Sequence, residues 1–302
     1  MSSDPVVHLS PDHSETLARL GFRSYGDFLS PPVGEVISEV RDRLVYRLSS
    51  RVVGSSFGYY LKVFRNRGAN RPLAQMLSGE WPHTCAEIER RRLDWLADRG
   101  FAAPRVAAWG ARMSMGFAEK DSFLMTQELE NLQAMDEWLQ SASGSLTGTD
   151  FLREKKALLK TIAHLLSQLH AEGFHHPYPY LRHFFVPVFQ SEETEDLSEE
   201  DLSRNRTVAI LDVHSAAISN RPVSRRRRVR GLAELFLSSL KSPLSHSDRL
   251  RFLQDYAGGR VDRKLAASVL ARFSQKLKRH PNRYRWAMEA VEAMRFPERE
   301  RG

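Results

Sequence analysis

Three charged residues in the sequence have types and positions that could handle a phosphate group. Lys62 lies within the apolar run YYLKVFR at residues 59–65, Glu89 lies in a helical segment that follows it, and Asp212 stands near the end of the apolar run VAILDV. A lysine held by a carboxylate can neutralise phosphate oxygens, and a carboxylate oxygen is a ligand that Mg²⁺ prefers. Together these residue types suit a reaction that depends on positioning and charge neutralisation.

Taken singly, each of these residues also has an ordinary structural explanation. Lys62 shares one face of its strand with Tyr60 and Phe64, so it could project into a half-buried cleft or, on an edge strand, into solvent. Glu89 could be an exposed carboxylate on a helix, and Asp212 could be a turn residue. The order in which the three segments follow one another is what favours a joint role.

Hydrophobic spacing predicts the elements that would position the first two of these side chains. Residues 36–64 are rich in Val, Tyr, Phe and Leu and predict a meander of strands. A helix is expected over residues 84–99, and Gly100 would close it as a left-handed cap. Two further strands are predicted at residues 105–110 and 122–129.

The composition becomes helical after Glu130. Leu and Ile recur at helical spacing over residues 158–169 and indicate the buried face of a long helix. Short strands are predicted at residues 184–189 and 208–213, and a helical bundle is predicted over residues 229–298. The pattern is that of a small strand-rich part followed by a larger helical part.

These shifts in composition divide the chain into three parts. Residues 1–35 are a polar lead-in, residues 36–130 form a small lobe, and residues 131–302 form a larger lobe. An acidic insertion at residues 190–203 interrupts the larger lobe, and it is expected to be solvated.

The overall composition excludes several classes of protein. The chain of 302 residues is 41% apolar, which excludes global disorder, and its net charge of +8 predicts an anionic partner. A single cysteine, Cys85, excludes an internal disulfide and a cysteine metal cluster. Because no signal-peptide pattern or long apolar run is visible, we expect a cytoplasmic protein.

Five arginines concentrate the positive charge within six positions. The cluster consists of Arg225, Arg226, Arg227, Arg228 and Arg230. It suits an anionic glycolipid, an anionic substrate or the surface of the inner membrane, and it could equally be the solvated entry to a helix. Nucleic acid is the less favoured partner, because no nucleic-acid-binding module accompanies the cluster.

One segment carries a specific family resemblance. Residues 169–186, LHAEGFHHPYPYLRHFFV, resemble the catalytic loop of the Kdo/WaaP lipopolysaccharide kinase family, which typically reads H-x-x-G-x-x-H-x-D-x-Y-x-x-H-F. The matched positions are His170, Gly173, His176, Tyr180, His183 and Phe184. Residues 209–215, AILDVHS, resemble the family's I-D-L-H-R, and residues 59–65 fit its Y-L-K-R strand. The helix that follows resembles the family's next motif in a register that selects Glu89 over Glu87.

This resemblance implies a two-lobed, α+β protein-kinase-like fold, with a small antiparallel-sheet lobe that binds ATP and a larger helical lobe. Lys62 would contact the nucleotide phosphates and would be held by Glu89. Asp212 would bind Mg²⁺, with His183 as a second residue on the metal side. The hinge, whose backbone would meet the adenine, comprises Glu128, Leu129 and Glu130.

One position departs from the family pattern in a way that affects the chemistry. Tyr178 stands where the family has its catalytic aspartate, and a tyrosine with an ordinary pKa of ~10 cannot accept a proton as a carboxylate does. His175 and His176 are the neighbouring side chains that could replace the base, because neutral imidazole accepts protons near pH 7. A second departure is Gly231, which stands where the family commonly has an aspartate that braces the loop.

The resemblance therefore implies an ATP-dependent kinase that phosphorylates a sugar hydroxyl of the lipopolysaccharide core, peripheral to the inner face of the inner membrane and with weakened catalysis. The alternative is a pseudokinase that binds nucleotide or glycolipid as a regulatory module. A third interpretation, a nucleic-acid-binding protein, depends only on charge. A zinc site among the histidines between His164 and His183 is disfavoured, because no cysteine accompanies them.

Overall fold

The protein is an α+β chain whose computed structural model divides into two compact units, Met1–Glu130 and Asn131–Gly302. The structure describes residues 4–40, 42–65, 83–114, 118–188, 207–279 and 281–282. The predicted acidic insertion at residues 190–203 lies outside the described residues.

The first unit is built on a six-stranded antiparallel sheet. Its strands are β1 (Val6–Leu9), β2 (Glu35–Val40), β3 (Arg43–Leu48), β4 (Tyr59–Arg65), β5 (Val106–Ser114) and β6 (Ala118–Gln127). Their order across the sheet is β1-β5-β6-β4-β3-β2, so β4 is an inner strand between β6 and β3. The edge-strand interpretation of Lys62 is therefore wrong.

Side chains alternate across β4 as its sequence predicts. Leu61 and Val63 are fully buried in the core on one face, whereas Lys62 on the other face is half-buried. The period of two residues in an extended strand produces this alternation. The face that carries Lys62 is the one that the next helix of the unit covers in part.

Four helices accompany the sheet in the described part of the first unit. They are α1 (Pro11–Arg19), α2 (Tyr25–Leu29), α3 (Ser50–Val53) and α4 (Cys85–Asp98). Helix α4 begins as predicted after Thr84, whose side chain accepts a hydrogen bond from the backbone of Glu87. It ends before Gly100, which has a φ of +74° and supplies the left-handed cap that the sequence predicts.

The predicted lead-in at residues 1–35 is part of the first unit and not a separate segment. Strand β1 pairs with β5 at the edge of the sheet, and Leu17, Phe22 and Phe28 are fully buried in the same core as the sheet. The ring of Phe28 stacks on that of Phe123 at 4.1 Å between centroids. A short strand whose partner lies about a hundred residues later gives no local signal, which is why composition alone misassigned it.

The second unit carries short strands and the larger helices. Its strands are β7 (Leu132–Ala134), β8 (Phe174–His175), β9 (Phe184–Pro187), β10 (Ala209–Ile210) and β11 (Ala217–Ile218), and its helices are α5 (Met135–Ser145), α6 (Gly148–Ala171), α7 (Arg225–Ser238), α8 (His246–Tyr256) and α9 (Arg263–Arg279). Three 3₁₀ turns complete the described elements, at Leu181–His183, Val213–Ser215 and Ser239–Lys241.

Two small antiparallel sheets position the loops of the second unit. One has the order β10-β9-β7 and the other pairs β11 with β8. The predicted strand at residues 208–213 is shorter than expected, because the backbone turns into the left-handed region at Asp212, with a φ of +55°. The predicted bundle at residues 229–298 begins four residues earlier, at Arg225, and its part beyond 282 lies outside the described residues.

None of the described helices combines the length and the apolar character that crossing a membrane would require.

We predict that Phe28→Ala lowers the free energy of unfolding by about 3–5 kcal/mol, because it removes a buried ring that stacks on the central sheet. Leu9→Ala is the control, since Leu9 is 42% exposed on the edge strand, and its effect should stay within about 0.5 kcal/mol. Urea denaturation followed by circular dichroism measures both. Equal, small effects would mean that residues 1–35 do not belong to the folded unit.

Candidate active site

Lys62 and Glu89 form an ion pair within the first unit. Strand β4 presents the lysine and helix α4 presents the glutamate, and Nζ lies 2.6 Å from Oε1. The glutamate side chain is 3% exposed and the lysine side chain 18%. The neighbouring Glu87 instead pairs with His83 and Arg91. The glutamate that contacts Lys62 is therefore Glu89, the one that the sequence motif selects.

This ion pair is poorly designed for stability alone. The second oxygen of Glu89, Oε2, is buried and accepts no hydrogen bond from the described residues. A buried charge pair recovers the cost of desolvation only when its remaining lone pairs are also satisfied. A buried, incompletely satisfied carboxylate that holds a lysine is therefore better explained by a functional requirement on the lysine.

The predicted hinge follows β6 and is tied to the turn before β4. The backbone N–H of Glu128 donates to the carbonyl of Gly58 at 2.8 Å, and the Glu128 carboxylate accepts from Arg47 and Tyr60 at 3.0 and 3.1 Å. A Cβ atom at Gly58 would overlap this carboxylate, so the close approach requires glycine. Leu129 is half-buried and Glu130 is exposed.

Asp212 of the second unit has an unusual backbone conformation and a fixed carboxylate. Its φ of +55° is one of two positive values among the described non-glycine residues. Oδ1 accepts a hydrogen bond from Nδ1 of His214 at 2.6 Å, and Oδ2 lies 3.6 Å from Nε2 of His183. Left-handed backbone at a non-glycine residue carries strain, and such strain concentrates at functional sites.

His176 connects the predicted catalytic loop to the turn at Asp212. Its Nε2–H donates to the Asp212 carbonyl at 3.1 Å, and its Nδ1 accepts from the backbone N–H of Tyr178 at 3.1 Å. This pattern requires the neutral imidazole with its proton on Nε2. Burial lowers the pKa of His176 to about 3, which keeps the ring neutral.

The prediction that a neighbouring histidine replaces the missing base does not fit this geometry. Both ring nitrogens of His176 are engaged by backbone groups, and its side chain is buried, so neither nitrogen can receive a proton from a substrate. His175 is also buried, in β8, and burial lowers its pKa to about 4. Sequence adjacency suggested both residues, but burial decides against them.

His183 orders the other side of the loop. Its Nδ1–H donates to the carbonyl of Tyr178 at 3.0 Å, a carbonyl that also accepts from the N–H of Tyr180 at 2.8 Å. Burial lowers the pKa of His183 to about 4, so the ring is neutral at pH 7 and forms no ion pair with Asp212. Its Nε2 faces the Asp212 carboxylate and accepts a long contact from Arg182 at 3.4 Å.

Tyr178 itself points toward the arginine cluster. The guanidinium of Arg230 donates to the tyrosine hydroxyl at 3.0 Å and lies 5.5 Å from the ring centroid. A cation over an aromatic face is attracted by the ring quadrupole, so this contact holds the side chain through both the ring and the hydroxyl. Sequence reasoning did not anticipate this contact, because the two residues are 52 positions apart.

Gly231 lies directly behind the loop, at the first turns of α7. A Cβ atom at this position would approach the carbonyl of His176 at 3.3 Å and Cγ of Pro179 at 3.7 Å. The absence of a side chain therefore lets α7 pack closely against the loop.

No group of three or more His, Cys, Asp or Glu side chains that could bind a metal occurs among the described residues. In the loop region, Asp212 is the carboxylate that could bind a metal ion, and His183 lies beside it. Mg²⁺ is commonly held by one or two protein carboxylates and completed by water and substrate phosphates, so one carboxylate fits such a site. Imidazole nitrogen is a less suitable ligand for this hard cation.

We predict that the free energy of unfolding decreases as the pH is lowered from about 6.5 to about 4. The pKa values of His176 and His183 are lowered to about 3 and about 4, whereas in the unfolded chain both return to 6.5. The unfolded state therefore binds more protons in this window, and each proton contributes about 1.4 kcal/mol per pH unit. Urea titrations at several pH values measure the slope. His176→Asn should reduce it by up to about one proton, and an unchanged slope would contradict the assignment.

Known proteins match this chain over most of its length. Residues 33–256 match the lipopolysaccharide kinase (Kdo/WaaP) family. Lipopolysaccharide core heptose(I) kinase WaaP of Escherichia coli is 27% identical over 223 residues, which cover 74% of this chain and 77% of that protein. WaaP of Pseudomonas aeruginosa is 26% identical over 223 residues, which cover 74% of this chain and 76% of that protein.

A solved structure supports the fold. The structure described as WaaP in complex with acyl carrier protein superposes with a TM-score of 0.62 at 23% identity and covers 91% of this chain and 98% of that one. The kinase-like α+β fold expected from the sequence is confirmed. The family match spans most of the chain, from β2 to the end of α8. The chain therefore belongs to the lipopolysaccharide kinase (Kdo/WaaP) family.

Proposed function

We propose that this protein transfers the γ-phosphoryl group of ATP to a sugar hydroxyl of the lipopolysaccharide core, and that the missing carboxylate at position 178 slows the transfer. The observation that carries the proposal is the buried ion pair between Lys62 and Glu89, in a chain whose family consists of lipopolysaccharide kinases. The relatives compared above are named as kinases of a core heptose, which makes a core sugar the favoured acceptor class.

The nucleotide side of the proposed site lies in the first unit. Lys62, held by Glu89, would bind the phosphates, because a lysine with a fixed carboxylate partner presents its ammonium in one orientation. The backbone of Glu128, Leu129 and Glu130 would receive the adenine. The hydrogen bonds that Glu128 makes to Gly58, Arg47 and Tyr60 favour a rigid hinge at this point.

Asp212 would hold Mg²⁺ in the second unit, with His183 beside it. When bound, Mg²⁺ neutralises negative charge on the phosphate oxygens. His214 fixes the carboxylate by donating to Oδ1, and His176 fixes the backbone by donating to the Asp212 carbonyl. The role of His183 would be to order the loop through the Tyr178 carbonyl, while its Nε2 stays on the metal side.

The acceptor side explains why transfer should be slow. A tyrosine at position 178 cannot take the hydroxyl proton as an ionised carboxylate does, and His175 and His176 are buried and neutral. General-base assistance is worth about 10²–10⁴-fold, whereas positioning and charge neutralisation supply most of the catalysis of phosphoryl transfer. Loss of the aspartate would therefore reduce the rate without abolishing it.

The second candidate is a pseudokinase that binds nucleotide or glycolipid without transfer. It is favoured by the pair of changes at Tyr178 and Gly231, since the usual base and its usual brace are both absent while the loop remains well ordered by other contacts. A nucleic-acid-binding role depends only on charge, and the family match does not favour it. The arginine cluster would place the protein at the inner face of the inner membrane, where it could contact anionic headgroups.

We predict that Lys62→Ala lowers the affinity for ATP with Mg²⁺ at least about tenfold, because hydrogen bonds to charged groups contribute about 1.5–3 kcal/mol each. Glu89→Gln should weaken binding less, since it removes the partner and leaves the lysine. Glu87→Gln is the matched control on the same helix, because Glu87 pairs with Arg91 and not with Lys62. Thermal shift and calorimetry measure the affinities, and equal binding by all three variants would remove Lys62 from the site.

We predict that Tyr178→Asp raises the rate of phosphoryl transfer by about 10²–10⁴-fold, because it restores a carboxylate at the base position. Tyr178→Asn is the control, since it has the same size as the aspartate variant and no charge. Transfer of labelled γ-phosphate to purified lipopolysaccharide core measures the rate. A slow but measurable wild-type rate that rises only with aspartate supports the kinase. Unaltered ATP binding with no transfer in any variant supports the pseudokinase.

A further inference from the structure

An open cavity of about 680 Å³ lies beside the start of α7 in the second unit. Seven of its lining side chains are basic or carry a hydroxyl, and they come from two segments that are distant in sequence. They are Ser224, which precedes α7, with Arg225, Arg226, Arg227 and Arg230 of α7 and Ser268 and Arg272 of α9. We call this feature the arginine cavity. The sequence predicts the run in α7, but only the packing of α9 against it adds the last two side chains and forms the other wall of the open cavity.

The described residues leave the charge of the arginine cavity unneutralised. No acidic side chain is found among the described residues that line it, and its arginines form no ion pair with a described carboxylate. Their recorded partners are neutral oxygens instead. Arg225 contacts Oγ of Ser268 at 3.4 Å, Arg272 contacts Oε1 of Gln275 at 2.8 Å, and Arg230 contacts the hydroxyl of Tyr178.

The position of these arginines opposes helix stability. They occupy the first turns of α7, where the helix dipole is positive and where no acidic residue occurs. Arg226 and Arg230 are also four residues apart, so they stand as neighbours of like charge on the helix surface. Burial, assisted by the charges of Arg227 and Arg230, lowers the pKa of His175 to about 4, which reflects the same positive field. A local arrangement that costs stability is best explained by a ligand that removes the cost.

We propose that the arginine cavity is a binding site for phosphate groups, either those of a phosphorylated lipid headgroup or those of a soluble phosphate compound. Guanidinium groups bind phosphate with two parallel hydrogen bonds, and several of them around one cavity suit a ligand with more than one negative charge. The two serines and the exposed backbone N–H groups at the start of α7 add neutral donors.

Arg230 connects this site to the position of the missing base. The same guanidinium lines the cavity and donates to the hydroxyl of Tyr178. A phosphate-bearing molecule in the cavity would therefore lie next to residue 178, where a phosphorylated glycolipid could be held as an acceptor. This last step depends on the proposed kinase function, whereas binding to the cavity does not.

A binding measurement that requires no catalysis tests the arginine cavity. The full chain carrying Lys62→Ala, which removes the proposed nucleotide contact, is titrated with inorganic pyrophosphate by calorimetry in a magnesium-free buffer. The test variant adds Arg225→Ser and Arg272→Ser, one from each helix of the cavity. The matched control adds Arg251→Ser and Arg263→Ser, which remove the same charge from exposed positions of α8 and α9 outside the cavity.

We predict that pyrophosphate binds the Lys62→Ala protein, that the Arg225→Ser and Arg272→Ser changes weaken binding at least about tenfold, and that the control does not. The affinity should fall with added salt. Without ligand the test variant should melt no lower than the control, because it relieves repulsion at a positive helix end. Should it fail to fold, Arg225→Lys with Arg272→Lys keeps the charge, and loss of the bidentate contacts alone should still weaken binding.

A second arm distinguishes the sources of phosphate. Sedimentation with phosphatidylcholine vesicles, with and without phosphatidic acid, measures binding to a phosphate headgroup in a membrane. Binding to both probes that depends on the cavity supports a headgroup ligand, and binding to pyrophosphate alone supports a soluble one. Absence of binding in both arms, or equal binding by test and control variants, overturns the proposal. Absence of phosphoryl transfer in the wild-type protein, with intact pyrophosphate binding, would count against the proposed kinase function and leave the cavity proposal unaffected.

Discussion

The neutral imidazole of His176 is the constraint on which the loop region of the second unit depends. One ring nitrogen donates to the carbonyl of Asp212 and the other accepts from the N–H of Tyr178. A protonated ring could not accept the second bond, so the arrangement exists only while burial keeps the ring neutral. The strained backbone at Asp212 and the backbone of Tyr178 are both held by this one side chain.

A different kind of constraint operates in the first unit. Lys62 and Glu89 are charged groups that are largely removed from solvent, and the glutamate keeps one oxygen without a described partner. Packing and hydrogen bonding elsewhere in the unit, such as the bonds of Tyr25 and Arg112 to Asp121, supply stability of an ordinary kind. The pair of Lys62 and Glu89 is a feature that stability alone would not select, because it buries charge with one oxygen unsatisfied by the described residues. Functional sites often show such features.

Tyr178 stands where the sequence resemblance predicts an aspartate, and its contacts involve more than a proton acceptor. An aspartate is short and charged, whereas this tyrosine reaches the guanidinium of Arg230 and draws the arginine cavity into the neighbourhood of the loop. Loop order is nevertheless maintained, because His176 and His183 bind the backbone at residue 178 and not its side chain. The backbone geometry at residue 178 is therefore compatible with both proposals, a slow kinase and a pseudokinase.

The alternation of β4, the bounds and cap of α4, the choice of Glu89 and the motif spacing of the loop could all be predicted from the sequence, because local periodicity and short motifs encode these features. Three other features emerge only in the folded chain: the burial of Leu17, Phe22 and Phe28 in the first core, the hydrogen bonds that occupy both ring nitrogens of His176, and the packing of α9 beside the arginines of α7. Each of these depends on contacts between residues that are distant along the chain, or on burial. A linear pattern carries no information on which buried ring nitrogen already has a hydrogen-bond partner. The roles of the histidines depend on those partners.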